Sequence, residues 1–203
     1  MAKDTRARLL TAAARLFGAK GYDPTTVGMI EKAAGLSPRA GGFYRHFKSK
    51  EDILIALATE GVETPERLGL DRIAQIRDTR AELTYIARAY AELNDGTGLI
   101  AGVIRSEAGR IAALRRLLET ENARILAALV AWLADKPIGR DLAEDEAAEL
   151  VLMIFGGWLF YLDRRDRLGA VAAIDDDRLI ERWAAHWAPI VDAPPGAIGM
   201  IAG

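Results

Sequence analysis

Between Thr25 and Lys50 the chain reads TTVGMIEKAAGLSPRAGGFYRHFKSK, a stretch whose capping and turn-forming residues are typical of two short helices joined by a turn. Val27, Ile30 and Ala34 recur at helical spacing, so the first of these helices has one apolar face. That face predicts a helix packed against a neighbouring element rather than an isolated surface helix.

The residues that flank the two predicted helices are typical of helix ends. Thr25 or Thr26 can cap the first helix, because a short hydroxyl side chain accepts a bond from an unpaired backbone N–H. Gly35 can end it in a left-handed conformation, and Ser37-Pro38 can start the second. Two helices joined by such a turn predict a helix-turn-helix, whose second helix can enter the major groove of DNA.

The charge distribution favours DNA as the partner of this stretch. Residues 1–50 hold ten Lys and Arg against three acids, whereas the rest of the chain holds 17 basic and 26 acidic residues. A basic N-terminal region attracts a polyanion, and an acidic remainder does not compete for it. The alternative interpretation is a solvated helical face that is basic by chance.

Composition and motifs argue against other classes of protein. The chain has 203 residues, of which 51% are hydrophobic and 28% charged, with no cysteine, so disulfides and cysteine-based metal or redox chemistry are excluded. No zinc-protease, nucleophile-elbow or phosphate-loop pattern occurs, which makes a helical enzyme a weak alternative and predicts neither a metal site nor a cofactor. The longest apolar run, residues 150–162, is too short to span a bilayer, and no signal peptide is evident. We therefore expect a cytoplasmic protein without a membrane partner.

Three segments in order resemble the N-terminal domain of TetR-family transcriptional regulators: ARLLTAAARLFGAKGYD, TTVGMIEKAAGLS and FYRHFKSKED. The resemblance covers about residues 5–57. The spacing of five residues between Ser37 and Phe43 is longer than in commoner members and resembles a PR-x-G variant of the motif.

The resemblance, with the chemistry of the side chains, predicts the DNA contacts. Tyr44 and Lys50 match family positions that usually touch phosphate, and Thr26 can do so through its hydroxyl. Arg39 has the forked geometry that reads guanine O6 and N7, while Arg45 and His46 could serve either role. The full set of predicted DNA-binding residues is Thr25, Thr26, Ser37, Pro38, Arg39, Ala40, Gly41, Tyr44, Arg45, His46, Lys48 and Lys50.

The remainder of the chain shows helical periodicity and no alternating strand pattern. We therefore predict an all-α fold in which a three-helix DNA-binding domain at residues 1–50 is followed by a connector helix and break at residues 51–65. A helical-bundle domain for ligand binding and dimerisation should occupy residues 66–193, and residues 194–203 should form a flexible tail.

The helix at residues 145–168 is apolar nearly all round, so every side of it must be covered. The resemblance implies that the last two long helices pair with those of a second copy. The predicted dimer interface comprises Leu150, Ile154, Trp158, Tyr161, Leu179, Trp183 and Trp187. A core within one chain is the alternative.

The resemblance also implies a small-molecule effector enclosed by the helical body. The candidate ligand-binding residues are Tyr85, Tyr90, Arg105, Trp132 and Phe155, although each could equally belong to an ordinary core or surface. The sequence therefore predicts a homodimeric transcriptional regulator, most simply a repressor released from a palindromic operator by an effector. The alternative is a constitutive or architectural DNA-binding protein without a ligand.

Overall fold

The computed structural model describes residues 2–37, 41–61, 64–94, 98–168 and 174–197. All regular structure in these ranges is helical, as the sequence predicts. The helices are α1 (Ala2–Lys20), α2 (Val27–Ala33), α3 (Lys50–Gly61), α4 (Thr79–Asn94), α5 (Gly98–Glu107), α6 (Ala112–Ala134), α7 (Glu144–Leu168) and α8 (Asp176–Val191), with 3₁₀ helices at Leu70–Gln75 and Pro137–Gly139.

The helix ends lie where capping residues occur. Thr26 caps α2 by accepting a hydrogen bond from the Met29 N–H at 3.3 Å, and Asp175 caps α8 by accepting one from Arg178 N–H at 3.2 Å. Ser49 caps α3 in the same way, with its hydroxyl 3.0 Å from the Asp52 nitrogen. Each cap satisfies a backbone donor that the helix itself leaves unpaired.

The chain divides into two compact units. The first comprises Met1–Val62 and Gly96–Thr120, and the second comprises Glu63–Asp95 and Glu121–Gly203. This grouping differs from the predicted domain bounds, because residues 96–120 pack with the N-terminal region rather than with residues 66–193.

The first unit has a core formed by α1, α2, α3 and α5 with the start of α6. Leu9, Ala13, Phe17 and Ile30 are all completely buried. Phe43 and Phe47 complete the core from the loop between α2 and α3, so the apolar face predicted for α2 does pack against neighbouring elements.

The second unit packs α4 against α8 and α7. Its core contains the almost completely buried aromatic side chains of Tyr90, Phe155 and Trp158. Glu82 is also buried, where its carboxylate accepts a bond from Trp132 Nε1 at 2.8 Å and pairs with Lys136. A buried acid with two such partners is compensated for the loss of water.

Among the described residues, no helix has the length and apolar content needed to cross a bilayer.

Candidate nucleic-acid interface

Helix α2 ends in a tightly defined turn. Gly35 has φ +69°, the left-handed conformation that glycine adopts without strain. Its N–H donates to Lys32 O at 3.1 Å, and the N–H of Leu36 donates to Glu31 O at 2.8 Å. This pair of bonds is the Schellman pattern, so the chain leaves α2 in a fixed direction.

The segment after the turn differs from the predicted second helix. Pro38, Arg39 and Ala40 lie outside the described residues. Gly41 has φ +74°, which is not helical, and Gly42–His46 form turns. Two helix-type bonds follow, from His46 N–H to Phe43 O at 2.9 Å and from Phe47 N–H to Phe43 O at 3.0 Å. Two glycines in succession explain the difference, because glycine disfavours a continuous helix.

Within this segment the side chains separate into a buried and an exposed set. Phe43 and Phe47 are 0% and 3% exposed, with ring centroids 5.7 Å apart. Tyr44 is 65% exposed, and Arg45 and Lys48 are also exposed. The two buried rings thus anchor a short stretch whose intervening aromatic and cationic side chains reach solvent.

The two threonines before α2 have opposite environments. Thr26 is exposed at the helix N-terminus, where backbone N–H groups favour an anion. Thr25 is completely buried, and its hydroxyl donates to Gly21 O at 2.8 Å. The prediction that Thr25 contacts DNA is therefore wrong for its side chain, which closes the loop after α1 instead.

Lys50 also has an internal role that the sequence did not predict. Its ammonium donates to Tyr22 O at 2.8 Å and to Asp23 O at 3.2 Å. The same ammonium lies 4.2 Å from the centroid of the Tyr22 ring, within the range of a cation–π interaction. In this structure Lys50 therefore ties the start of α3 to the loop between α1 and α2.

The other side of this loop is held by Arg110. Its guanidinium is 3.0 Å from Asp23 Oδ1, and its Nε donates to Glu107 Oε2 at 3.1 Å. The hydrogen bond from Arg110 lowers the pKa of the Asp23 carboxyl below its usual value. Burial, followed by the charge of Glu51, raises the pKa of the neighbouring Tyr22 phenol. The loop between α1 and α2 is thus bound from two directions.

Sequence reasoning missed one buried polar residue in the motif. Glu31 is 2% exposed, and its Oε1 accepts a hydrogen bond from the Phe43 N–H at 3.1 Å. The signal was present, because Glu31 lies one position after Ile30 and three before Ala34, on the face of α2 that turns inward.

Comparison with known proteins identifies this arrangement. The family model for bacterial regulatory proteins of the tetR family matches residues 9–57, which cover most of α1, all of α2 and most of α3. Residues 9–57 belong to the tetR family of bacterial regulatory proteins.

Similarity to individual proteins is strongest in the same region. An HTH-type transcriptional repressor of Mycobacterium tuberculosis is 40% identical over 58 residues, which are 29% of this chain and 30% of that protein. The chain thus matches less than a third of that relative's length. An HTH-type regulator of Bacillus subtilis, YxaF, is 28% identical over 170 residues, covering 81% of this chain and 88% of that one.

Solved structures extend the likeness to the whole fold. A structure assigned to the TetR family, from Mesorhizobium loti, has a TM-score of 0.71 at 18% identity and covers 94% of this chain and 96% of its own. The regulator FadR from Bacillus subtilis in complex with stearoyl-CoA has a TM-score of 0.67 at 24% identity, covering 90% and 97%. At these identities the likeness concerns the fold alone.

The second unit contains an apolar groove between α6 and α7. Its volume is about 400 Å³. Tyr90 and Phe155, two of the predicted ligand residues, line it. Its other lining residues are Asn122, Ala123, Ile125, Leu126, Leu129, Val151, Leu152, Gly156 and Leu159.

The other three predicted ligand residues lie elsewhere among the described residues. Tyr85 lines a second, more polar pocket beside Gly69 and Arg72. Trp132 is buried and bonded to Glu82, and Arg105 is exposed on α5 in the first unit. None of these three residues lines the groove between α6 and α7.

The residues predicted for the dimer interface are largely used inside one chain. Leu150, Ile154 and Trp158 are buried in the core of the second unit, and Trp183 donates its indole N–H to Ile154 O at 2.9 Å. Their burial contradicts the prediction that these three side chains form the dimer interface and favours the alternative, a core within one chain, because α4 and Trp183 of α8 contact that side of α7. The other four predicted residues, which are partly buried against the same core, are Tyr161, Leu179, Trp183 and Trp187.

A different side of α7 is exposed. Leu152, Met153 and Phe160 are 60%, 67% and 63% exposed, and they flank the exposed glycines at positions 156 and 157. On a helix these positions share one side. We call this set, residues 152, 153, 156, 157 and 160, the exposed α7 stripe.

Proposed function

We propose that this regulator binds a specific operator as a homodimer and acts as a repressor that a small, largely apolar effector releases from DNA. The proposal that the protein binds DNA rests on residues 43–48, where buried rings alternate with exposed aromatic and cationic side chains. Two buried rings fix a segment from which Tyr44, Arg45 and Lys48 project into solvent. Aromatic and cationic side chains on a rigid segment of a basic region suit contacts with phosphate and base edges.

Within that segment the contacts divide by chemistry. Tyr44, Lys48 and the exposed Thr26 cap are proposed phosphate contacts, since they offer a hydroxyl, an ammonium and helix N–H groups. Arg45 and His46 remain candidates for either phosphate or base edges. Arg39 remains our candidate for reading guanine, and Ser37, Pro38, Ala40 and Gly41 for its neighbouring contacts.

Selection of bound sequences from random DNA tests this proposal. We expect a palindrome with half-sites about one helical turn apart, because two copies related by a twofold axis would read successive major grooves. Arg39→Ala should then cost about 1–3 kcal/mol on the preferred site and relax base choice at one position. Enrichment of no sequence would leave the architectural alternative, in which binding is DNA-dependent but not sequence-specific.

The second copy is proposed to cover the exposed α7 stripe. Contiguous exposed apolar side chains on a helix are typical of an interaction surface, and the glycines at positions 156 and 157 would let a second helix approach closely. Added Cβ atoms there would meet nothing within 4 Å, so the stripe has room for a partner.

The effector is proposed to occupy the groove between α6 and α7. Its apolar walls and the amide of Asn122 suit a ligand with a long hydrocarbon part and one polar contact. The stearoyl-CoA bound by the structurally similar FadR supports an acyl chain as the class to test first. An effector lowers operator affinity only if it binds the DNA-incompetent state more tightly than the competent one.

A matched pair of alanine variants on α6, outside the exposed α7 stripe, tests this site. Ala123→Leu should fill the groove and weaken binding of acyl-CoA probes about tenfold, whereas Ala131→Leu, which is exposed further along α6 but not among the lining residues, should retain binding. Both substitutions make the same change in helix propensity. Release of operator DNA should follow probe occupancy in titrations of the wild type and of both variants. Equal binding by the two variants would place the effector elsewhere.

A further inference from the structure

Glu31 is an acid inside the DNA-binding domain, on a helix otherwise packed through apolar residues. It is 2% exposed, and its Oε1 lies 3.1 Å from the Phe43 nitrogen. A buried carboxylate costs free energy unless hydrogen bonds replace its lost water. An apolar residue at this position would fill the same space without that cost, so the hydrogen bond to Phe43 needs a role beyond packing.

The position of the donor along the chain is informative. Phe43 is the first residue of the short segment that carries Tyr44, Arg45 and Lys48 to solvent. Its N–H donates to the Glu31 carboxylate, and Gly41, two positions earlier, is in the left-handed region. Glu31 therefore supplies a side-chain acceptor for a backbone donor at the start of this segment.

Two further contacts restrict the same point of the chain. The Phe43 ring is completely buried against the first-unit core. A Cβ placed on Gly42 would lie 3.2 Å from Leu36 Cδ1, so Gly42 passes close to the residue that follows the α2 turn. Ring, backbone N–H and the close approach of Gly42 together hold the start of the exposed segment relative to α2.

We propose that Glu31 is a positioning residue for base recognition: by accepting the Phe43 N–H it sets where the segment from Phe43 to Lys48 lies in the DNA groove. The proposal rests on the proposed function as a sequence-specific DNA-binding protein. It adds that a residue with no contact to DNA determines the preference among bases. A displaced segment loses bidentate base contacts, which depend on geometry, more readily than contacts to phosphate.

Two substitutions separate the hydrogen bond from the charge and from the volume. Glu31→Gln retains an oxygen that can accept from the Phe43 N–H, whereas Glu31→Leu retains similar bulk without an acceptor. Ile30→Val is the matched control, since Ile30 is a fully buried neighbour on the same helix and its side chain carries no polar group. It lowers packing without touching the Phe43 N–H.

For each variant, the ratio of affinities for the selected operator and for random DNA should be measured at one salt concentration. We expect Glu31→Leu to lower this ratio about tenfold through loss of the operator affinity, with random-DNA binding nearly unchanged. Glu31→Gln and Ile30→Val should keep the wild-type ratio and the wild-type selected sequence. If the charge of Glu31 mattered rather than its hydrogen bond, Glu31→Gln would lower the affinity ratio as Glu31→Leu does.

Hydrogen exchange of the Phe43 amide provides a second measurement on the folded wild-type protein and on Glu31→Gln. Protection at Phe43 in both is expected, together with loss of protection in Glu31→Leu. An unprotected Phe43 amide in the wild type overturns the proposal, even where Glu31→Leu does not fold. So does a wild-type affinity ratio in Glu31→Leu, or a shift of base preference in Glu31→Gln equal to that of the leucine variant. A wild type that selects no sequence overturns the proposed function itself, whereas these other results leave the proposed function standing.

Discussion

The DNA-binding motif, residues 25–50, and helix α7 are both rich in apolar and aromatic residues. In the motif, packing within one chain accounts for which of these side chains are buried, whereas in α7 it leaves several large apolar side chains exposed. In the motif, Phe43 and Phe47 are buried while Tyr44 between them is 65% exposed. In α7, Trp158 is 2% exposed while Leu152, Met153 and Phe160 remain exposed on the other side. The motif is therefore complete as a packed element, whereas α7 retains an apolar surface that a partner could cover.

Introducing a charged residue on each of the two sides of α7 should give the largest difference between the covered and the exposed side. Trp158→Arg should destabilise the folded chain by about 4 kcal/mol or more, because it places an unpaired charge among Tyr161 and Trp183, whose ring centroids are 5.5 and 6.5 Å from that of Trp158. Phe160→Arg should leave the helical content unchanged and instead convert the dimer to monomers. Urea unfolding followed by circular dichroism and sedimentation at micromolar concentration would measure the two effects.

The comparison would fail in this region if Trp158→Arg remained folded with an unchanged midpoint, or if Phe160→Arg remained dimeric. The first result would mean that the indole is not packed inside the chain. The second would mean that the exposed α7 stripe is not the surface covered by a second copy.

The adjacent rings Phe43 and Tyr44 give the next largest effect. Phe43→Ala should cost about 3–5 kcal/mol of stability, since it removes a completely buried ring from the first-unit core. Tyr44→Ala should change stability by no more than about 0.5 kcal/mol and weaken DNA binding. Thermal unfolding and fluorescence anisotropy with labelled operator would be read on the same samples. A Tyr44 variant that lost stability but bound DNA normally would reverse the assignment.

Two lysines of the motif should also differ in their roles, one in DNA binding and the other in stability, with smaller effects. Lys48→Ala should reduce the slope of log affinity against log salt by about 0.9 per protomer, as expected for one lost phosphate contact. Lys50→Ala should instead lower stability by about 1 kcal/mol, because the ammonium now bonded to the carbonyls of Tyr22 and Asp23 is lost. A salt slope changed by Lys50→Ala and not by Lys48→Ala would show that Lys50 leaves the loop to bind phosphate.

The same contrast explains which parts of the molecule were predictable from sequence. Amphipathic periodicity predicted the inward face of α2, where Ile30 and Ala34 are buried, and Thr26 was one of the two caps predicted for this helix. These signals are local, so they survive without knowledge of the fold. A helix that is apolar on all sides carries no such signal, and the covered side of α7 was therefore assigned incorrectly.

Other misses arose where a side chain bonds to a part of the chain that is distant in sequence. Lys50 donates to carbonyls 27 and 28 positions earlier, and Glu31 accepts from an N–H 12 positions later. Spacing along the chain does not reveal such partners. The turn at Gly41 and Gly42 was a different kind of miss, since the glycines were visible but were assigned to a helix.

The smallest predicted effect concerns Tyr161, at the covered side of α7. Its hydroxyl donates to Asp176 Oδ1 at 2.5 Å, and Arg165 pairs with the same carboxylate. Burial, followed by this hydrogen bond, raises the pKa of Tyr161 to about 12. An unfolded tyrosine loses its proton near pH 10, so the folded state holds the proton more tightly than the unfolded state does.

The stability that Tyr161 contributes is therefore fully present below pH 10 and is lost as the pH rises through about 12. Tyr161→Phe should be less stable than the wild type by about 1 kcal/mol at pH 8, and the difference should shrink as the pH approaches 12. Urea midpoints of the two proteins across this range would measure the change. Tyr85→Phe is the control, because its hydroxyl makes only a 3.4 Å bond to Gly69 O and its removal should cost less. A difference between wild type and Tyr161→Phe that grew with pH would contradict the assignment, since it would mean that the folded state favours the phenolate.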